Sequence, residues 1–251
     1  MSTPSIALVA LKSRELPGPE TVAALCGKLS DETPRIAIQT DSAFTLSWDD
    51  GATANVTLVD RAIPWERLEG PCAVAWHWPD AAAALKSHTD HLFVTLLDDG
   101  RRRIDIAFRL THLTVAVASA ASDAVGLVWG ASGSVHDPSN FATLASQSTA
   151  ADLPLHLWID FRVYEREGGG FGLFTTGMEA LGRRELEVPH FTGDPQHLIG
   201  ATYNIAHYVL EKDATLKDSE VIGLPDESQV TIREDQSSID PQQEVFRLEF
   251  E

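Results

Sequence analysis

The chain has 251 residues, 43% of them hydrophobic, which is enough to bury a core without disulfides or metal ions. Its 37 acidic and 19 basic residues give a net charge of −18, which disfavours binding to nucleic acid and to anionic membranes. The two cysteines, Cys26 and Cys72, are too few for a disulfide-rich secreted scaffold and indicate a reducing compartment.

The sequence shows no targeting or membrane-spanning segment. The N-terminus carries no basic region, and its apolar run at residues 6–11 is too short for the core of a signal peptide. No stretch approaches the roughly 18 apolar residues of a transmembrane helix. We therefore expect a cytoplasmic protein.

The first quarter of the chain predicts a strand, a helix and a hairpin. Residues 5–11 are typical of a strand, and the apolar spacing in residues 19–29 predicts an amphipathic helix. Residues 35–39 predict a second strand. Residues 44–58 alternate apolar and polar side chains around the turn sequence at residues 49–51, which predicts a β-hairpin.

Residues 73–98 predict strand, helix and strand. Residues 73–78 are interpreted as a short apolar strand, with Trp76 and Trp78 on the same side. The Pro79-Asp80 pair then opens an alanine-rich helix, and the continuous apolar run at residues 92–97 predicts a strand that is buried on both faces.

The middle of the chain contains the most ambiguous segment. Residues 101–123 keep helical spacing and predict a helix, although their β-branched side chains leave open a strand that returns from the turn before them. A short strand is expected at residues 126–130. The turn-rich residues 130–140 predict a loop, and no acid/base role is favoured for His136 and Asp137 within it.

Residues 155–161 alternate regularly, so we expect a strand with Trp158 on its polar face. The glycine run at residues 168–170 predicts a turn into a strand at residues 171–174. A phosphate-binding loop is not favoured there, because such a loop needs a following helix N-terminus. Residues 176–181 predict a short helix that ends at a glycine.

The last part of the chain predicts one long helix among short strands. Asp194 is suited to the N-cap and Pro195 to the first turn of a helix that extends to about Lys212 and packs on a sheet. Short strands are expected at residues 185–188, 220–224, 230–232 and 245–250.

This order of elements predicts an α+β fold, with mixed or antiparallel sheets and helices packed on them. Strands and helices do not alternate strictly, so a doubly wound α/β fold is not favoured. We expect a single domain over residues 1–251. Two pseudo-repeated halves, joined near residues 137–153, remain an open alternative.

One histidine spacing in the chain could carry chemistry. His88 and His91 form an H-x-x-H pattern, which could contribute two ligands to a metal ion. The pair spans a predicted helix-to-strand junction and has no third ligand nearby, so a structural role is favoured. No nucleophile, phosphate-loop or dinucleotide motif occurs. We expect no metal, no cofactor and no catalytic residue.

Four segments together resemble an uncharacterised bacterial family, the domain of unknown function 4261 family. They are AVAWHWPDAAAALKSHTDHLFVTLLD (73–98), LTHL (110–113), AVGLVWG (124–130) and FTTGMEALGRRELEV (174–188). The resemblance extends from about residue 5 to residue 233. It implies no catalytic residues. Families of this kind often supply accessory or immunity proteins that accompany secreted toxins, which implies a protein partner.

The C-terminal region is the most acidic part of the chain. Residues 211–251 contain twelve acidic and four basic residues, a net charge of −8. This acidity either keeps the surface soluble or forms a docking face for a basic protein. Under the second interpretation, the predicted contact residues are Asp226, Glu227, Glu234 and Asp235.

Three classes of function remain. The sequence favours a non-enzymatic interaction protein, most specifically an immunity protein that neutralises a cognate, possibly basic, toxin by direct binding. A small-molecule or peptide-binding module is the first alternative, and an enzyme of unrecognised type is the second.

Overall fold

The structure, a computed structural model, describes residues 4–224 and 228–250. Helix and strand each account for 32% of the chain, which confirms the α+β prediction. The chain divides into two compact units, Met1–Ser148 and Thr149–Glu251, here called unit 1 and unit 2. The boundary falls inside the segment 137–153 that the sequence favours as a junction.

Unit 1 is built on one antiparallel sheet. Its strands are β1 (Ser5–Leu11), β2 (Arg35–Gln39), β3 (Ala43–Ser47), β4 (Thr53–Val59), β5 (Asp90–Leu97), β6 (Ala124–Trp129) and β7 (Val135–His136). Its helices are α1 (Pro19–Leu29), α2 (Trp65–Val74), α3 (Ala81–Leu85), α4 (Arg103–Ala120) and α5 (Pro138–Gln147). The strand order is β2-β3-β4-β5-β1-β6-β7, and every pairing is antiparallel.

Helices cover both faces of this sheet near β1. Val9 and Ala10 are both fully buried, and successive strand residues point to opposite faces. Ala10 joins a cluster with Leu68 of α2 and Leu85 of α3. The opposite face of β1 is covered by α4, which contacts β1 and packs against α1. The helical interpretation of residues 101–123 is therefore confirmed, because that segment supplies core on one side of the sheet.

Two predictions in this unit are wrong. Residues 73–78 are not a strand: they end α2 and continue as tight turns, with Trp78 N donating to Ala75 O at 2.9 Å. Trp78 is buried while Trp76 is 64% exposed, so the two rings do not share an environment. Nor is β5 buried on both faces along its whole length, because Leu97 is exposed. Six-residue apolar runs do not distinguish a strand from a turn or helix.

The loop prediction for residues 130–140 is only partly correct. The short strand β7 pairs with β6, and Asp137 begins α5 by accepting a hydrogen bond from Asn140 N at 2.8 Å. Pro138 follows at the first helical position, as is common in helices. His136 is buried in β7. The pair His136 and Asp137 thus lies in ordered secondary structure.

A partly buried ion network links helices and strands within unit 1. The guanidinium of Arg109, on α4, donates to Asp98 and Asp50 at 2.9 Å and to Glu32 at 2.5 Å. Arg101 donates to the same Asp50 at 2.9 Å and the same Glu32 at 2.5 Å. Hydrogen bonds from Arg109 and Arg101 hold the pKa of Asp50 well below its ordinary value.

Unit 2 contains a six-stranded mixed sheet. Its strands are β8 (Asp160–Glu165), β9 (Phe171–Thr176), β10 (Glu185–Phe191), β11 (Val221–Gly223), β12 (Gln229–Gln236) and β13 (Glu244–Phe250). Its helices are α6 (Leu155–Trp158), the long α7 (Pro195–Glu211) and a 3₁₀ turn at Glu179–Leu181. The strand order is β11-β12-β13-β10-β9-β8, and β10 pairs with β13 in parallel.

Helix α7 matches its sequence pattern. Asp194 caps it by accepting from Gln196 N at 2.9 Å, and the helix contacts β8, β9 and β10. Its stripe residues Leu198, Ile205 and Val209 are buried, which confirms that this face packs on the sheet.

The strand predicted at residues 155–161 is wrong in its first half. Residues 155–158 form the single turn α6, and β8 begins only at Asp160. Trp158, expected on a polar face, is buried. The alternation of Leu155 and Leu157 fits a strand. A helix of one turn, such as α6, is too short for its apolar residues to show the helical period in the sequence.

The two units share a partial connectivity. In each, a strand leads into a helix and then into a run of neighbouring antiparallel strands whose last member pairs with the first strand. The run is β2–β5 in unit 1, with α2 and α3 inserted before β5, and β11–β13 in unit 2. The closing pair is antiparallel in unit 1 and parallel in unit 2, because the two runs have four and three strands. A duplicated origin stays a prediction.

Among residues 4–224 and 228–250, no helix combines the length and the apolar character needed to cross a bilayer.

The ion network predicts a specific acid sensitivity. A carboxylate with a lowered folded pKa stabilises the fold at pH above its ordinary pKa, and this contribution is lost as pH falls. We expect Asp50→Asn to lower the free energy of unfolding at pH 7, and the deficit to shrink as pH falls from about 5 to 3. Urea unfolding at both ends of this range measures the effect.

The neighbouring residue supplies the control. Asp49 pairs with Arg35 through side chains that are 83% and 77% exposed, so Asp49→Asn should change stability little at either pH. Equal unfolding free energies for Asp50→Asn and Asp49→Asn at pH 7 would contradict a stabilising role for the network.

Candidate functional site

The two described acidic residues of the predicted contact lie on opposite faces of β12. Glu234 is paired with Phe246 and Asp235 with Val245 on the adjacent strand, and consecutive residues of a strand point to opposite sides. Asp226 and Glu227 lie outside the described residues. The structure therefore does not bring Glu234 and Asp235 together on one face.

Both of these carboxylates already have cationic partners. Glu234 lies 3.0 Å from the guanidinium of Arg184, and Asp235 lies 2.5 Å from that of Arg247. The side chains of Glu234 and Asp235 are 47% and 45% exposed, so each ion pair is a surface pair worth about 1 kcal/mol or less. A basic partner would have to compete with these arginines.

His88 and His91 both hold the backbone of the segment that precedes α2. His88 lies with its Nδ1 against the carbonyl of Leu85, and its Nε2 accepts a hydrogen bond from Ile63 N at 2.7 Å. His91 Nδ1 lies 2.8 Å from the carbonyl of Arg61, and burial lowers the pKa of this histidine. These contacts match the structural role favoured by the sequence. Among the described residues, no group of three or more potential ligands is placed to hold a metal ion.

The cysteines show no sign of activation. Burial raises the pKa of the Cys26 thiol to about 12, and burial also raises the pKa of Cys72. A reactive cysteine needs the opposite shift, because the thiolate is the nucleophile. Cys26 lies on the buried side of α1, as its helical spacing predicts.

One concave feature among the described residues is a pocket of about 290 Å³ in unit 2. Its apolar part is formed by buried side chains from four different segments together with a half-buried phenylalanine: Met178, Leu186, Val209, Leu216 and Phe246. Its polar part comes chiefly from Arg183, Arg184 and Glu234. The pocket thus combines an apolar interior with a charged edge, as ligand sites commonly do.

A short connection between β9 and β10 builds one wall of this pocket. Gly177 and Gly182 both have positive φ, at 123° and 78°, which side chains with a Cβ rarely adopt. Between them, Met178 is fully buried and residues 179–181 form the 3₁₀ turn. Gly182 ends that turn in the left-handed conformation and directs the chain into Arg183.

The buried carboxylate of Glu185 fixes this connection. Its Oε1 accepts from the backbone N–H groups of Gly177 at 2.8 Å and Glu179 at 3.1 Å. Its Oε2 accepts from the hydroxyl of Thr175 at 2.7 Å. Because Glu185 is itself the first residue of β10, one side chain ties both ends of the connection together.

A second buried glutamate on the same strand holds the hairpin between β12 and β13. Glu187 is fully buried, and its carboxylate accepts from the Ser237 hydroxyl at 2.7 Å and from Ser238 N at 3.1 Å. Since Glu234 and Phe246 lie on the two strands that this hairpin joins, Glu187 also supports the opposite wall of the pocket.

The two arginines of the pocket differ in how firmly they are held. Arg184 bridges Glu234 at 3.0 Å and Glu244 at 2.8 Å, and its guanidinium lies 5.2 Å from the centre of the Phe246 ring. The hydrogen bond to Glu234 raises the pKa of Arg184. Arg183 is paired with Asp213, whose side chain is 87% exposed. Arg184 is thus a fixed part of the wall, and Arg183 has the more exposed partner.

None of the sequence-based predictions includes this pocket. Arg183 and Arg184 are adjacent basic residues in a strongly acidic chain, and they directly follow a glycine that ends a predicted helix. That combination was a usable signal. The floor was not predictable, because its apolar residues come from positions up to 68 apart, between Met178 and Phe246.

Fold and site together define unit 2 as an α+β unit with a small amphipathic pocket beside the C-terminal end of its long helix. Residues 174–249 match the model of a family described as Domain of unknown function (DUF4261). The resemblance predicted from sequence is confirmed for this part of the chain. Every residue that lines the pocket lies inside the match.

The match is narrower than the sequence resemblance. It contains the segment at residues 174–188, whereas the three other segments quoted for the resemblance lie outside it, between residues 73 and 130. No curated protein and no solved structure matches the chain.

The left-handed conformation at residue 182 predicts the effect of adding a Cβ there. Gly182→Ala should lower the free energy of unfolding by about 1–2 kcal/mol, because φ is positive at this position. Gly200→Ala is the matched control, since Gly200 is in α7 with open space around its missing Cβ. That variant should be neutral or up to about 1 kcal/mol more stable. Urea unfolding measures the change in unfolding free energy for both variants. Equal changes would contradict the left-handed conformation at residue 182.

Proposed function

We propose that this protein is a cytoplasmic, non-enzymatic binding protein that captures a basic protein partner through the pocket end of unit 2. The pocket end is defined here as the pocket and the three carboxylates that pair with its arginines: Asp213, Glu234 and Glu244. A cognate secreted toxin, neutralised by direct binding, is the partner that this proposal favours.

The observation that carries the proposal is an apolar pocket surrounded by alternating charges. The charged groups at its edge are two guanidinium groups and three carboxylates, so the edge has a net negative charge. Protein interfaces place apolar anchors at the centre and charged groups at the rim. A basic partner would gain rim contacts with these carboxylates while one of its side chains fills the pocket.

The overall charge supports the same choice of partner. A net charge of −18 accelerates association with a basic protein and opposes association with nucleic acid or an anionic bilayer. The described part of the pocket lining contains no His, Cys, Ser or Lys, so the Ser–His and Cys–His pairs of common nucleophilic sites are absent from it. Both points favour binding over catalysis.

Charge reversal tests the proposal. With a toxin from a neighbouring gene as partner, the double variant Glu234→Lys/Glu244→Lys, which reverses two carboxylates of the pocket end, should slow association about tenfold or more at about 50 mM salt. Raising the salt to about 500 mM should also slow the association of the unmodified protein, because the Debye length falls to about 4–5 Å. Surface plasmon resonance measures both rates.

The hairpin between β8 and β9 supplies the matched control. Glu165 and Glu167 are exposed in unit 2 and lie where the strands run away from the pocket, so Glu165→Lys/Glu167→Lys makes the same change in net charge elsewhere. The proposal expects a much smaller effect from this variant. Equal slowing by both double variants would assign the effect to net charge alone and contradict docking at the pocket end.

A further inference from the structure

We propose that the pocket of unit 2 is a binding site for a small carboxylate with an apolar body, and that Arg183 is the residue that binds the carboxylate. This ligand occupies the interior of the pocket, and its binding is measured without the partner proposed above.

The interior of the pocket sets the nature of the ligand's body. Met178, Leu186, Val209 and Leu216 are each at most 3% exposed, and they face the same cavity as Phe246. An apolar group that enters the pocket gains a binding free energy of about 25 cal/mol for each Å² of apolar surface that it removes from water. A volume of about 290 Å³ suits one aromatic ring or a branched chain, and it is too small for a dinucleotide.

The contact between Arg183 and Asp213 shows how a carboxylate would bind. The Asp213 carboxylate already pairs with the Arg183 guanidinium in this structure, so a carboxylate group can approach this arginine. Asp213 follows the end of α7 in a left-handed conformation, with φ of 53°, and its side chain is 87% exposed. An exposed ion pair is worth about 1 kcal/mol or less, so a ligand carboxylate can displace Asp213 at little cost.

Arg183 also retains an unused donor. Its Nε is buried and makes no hydrogen bond within the described residues. A buried N–H without an acceptor costs about 1–3 kcal/mol, and a planar carboxylate can accept from two guanidinium N–H groups at once. A ligand carboxylate that reached Nε as well as the terminal nitrogens would satisfy this group.

Arg184 does not offer the same opportunity. Two carboxylates hold it, Glu234 at 3.0 Å and Glu244 at 2.8 Å, and its guanidinium lies over the Phe246 ring. A ligand would have to replace two ion pairs to use it. The geometry therefore assigns the recognition of the carboxylate to Arg183 and a wall of the pocket to Arg184.

The methionines of the chain provide a site-specific reporter. The sequence contains two, Met1 and Met178, so a protein labelled with ¹³C-methyl methionine gives two methyl signals. Met178 lines the pocket, and the ring current of an aromatic probe shifts a methyl group beside it. Titration of the full chain with 3-phenylpropionate should shift the Met178 signal saturably, with a Kd of about 1 mM.

Two matched probes separate the carboxylate from the ring. 3-Phenylpropylamine carries the same ring with a positive charge, and 3-phenylpropanol carries it with none. Both should bind at least about tenfold more weakly than the acid. Equal shifts from the amine and the acid, or no shift of Met178 with any of the three probes, would overturn the proposal.

Two variants should change the affinity in opposite directions. Arg183→Gln should weaken the binding of 3-phenylpropionate about tenfold, and Asp213→Asn should strengthen it roughly threefold by removing the competing carboxylate. The position of the Met178 signal without probe reports whether each variant is folded. An unchanged affinity in both folded variants would contradict the role of Arg183, and a basic protein partner plays no part in this result.

A titration with peptides identifies the source of the carboxylate. A tripeptide that ends in phenylalanine is titrated with a free and with an amidated C-terminus. Tighter binding of the free-acid peptide than of 3-phenylpropionate assigns the site to a protein C-terminus, and the reverse order assigns it to a free small acid. Equal binding of the free and amidated peptides, at the affinity of 3-phenylpropionate, would contradict carboxylate recognition.

Discussion

The carboxylate of Glu185 is the contact on which the architecture of the pocket depends. This carboxylate, on the first residue of β10, accepts from two backbone N–H groups of the β9–β10 connection and from the hydroxyl of Thr175 in β9. Hydrogen bonds to a charged acceptor contribute about 1.5–3 kcal/mol each. Gly177 and Gly182, whose positive φ suits a residue without a Cβ, and the buried Met178 all lie in the connection that this carboxylate holds.

Strand β10 combines this support with the floor of the pocket. Leu186 and Val188 are buried beneath α7, while Glu185 and Glu187 alternate with them and fix the loops at either side. A charged side chain is costly to bury unless every oxygen finds a donor, and both glutamates meet that condition. These hydrogen bonds offset the cost of burying the two carboxylates. The pocket beside them lies wholly within the segment that matches the family.

The sequence predicted most elements, because their signals are local. The cap at Asp194, the spacing of α7 and the turn at residues 49–51 each act over a few neighbouring positions. The errors at residues 73–78 and 155–158 arose where a short apolar run fits several structures. The pocket could not be predicted, because it depends on which distant side chains the topology brings together, and the ion pairs of Glu234 and Asp235 were hidden for the same reason.

Hydrogen exchange of individual backbone amides, followed by NMR, tests the role of Glu185 most directly. In the variant Glu185→Gln, the amides of Gly177 and Glu179 should lose protection, because the neutral amide is a weaker acceptor and its NH₂ group faces the same donors. The amides of α7 should keep theirs. Unchanged protection at both Gly177 and Glu179, in a variant that remains folded, would contradict the claim that this carboxylate organises the pocket.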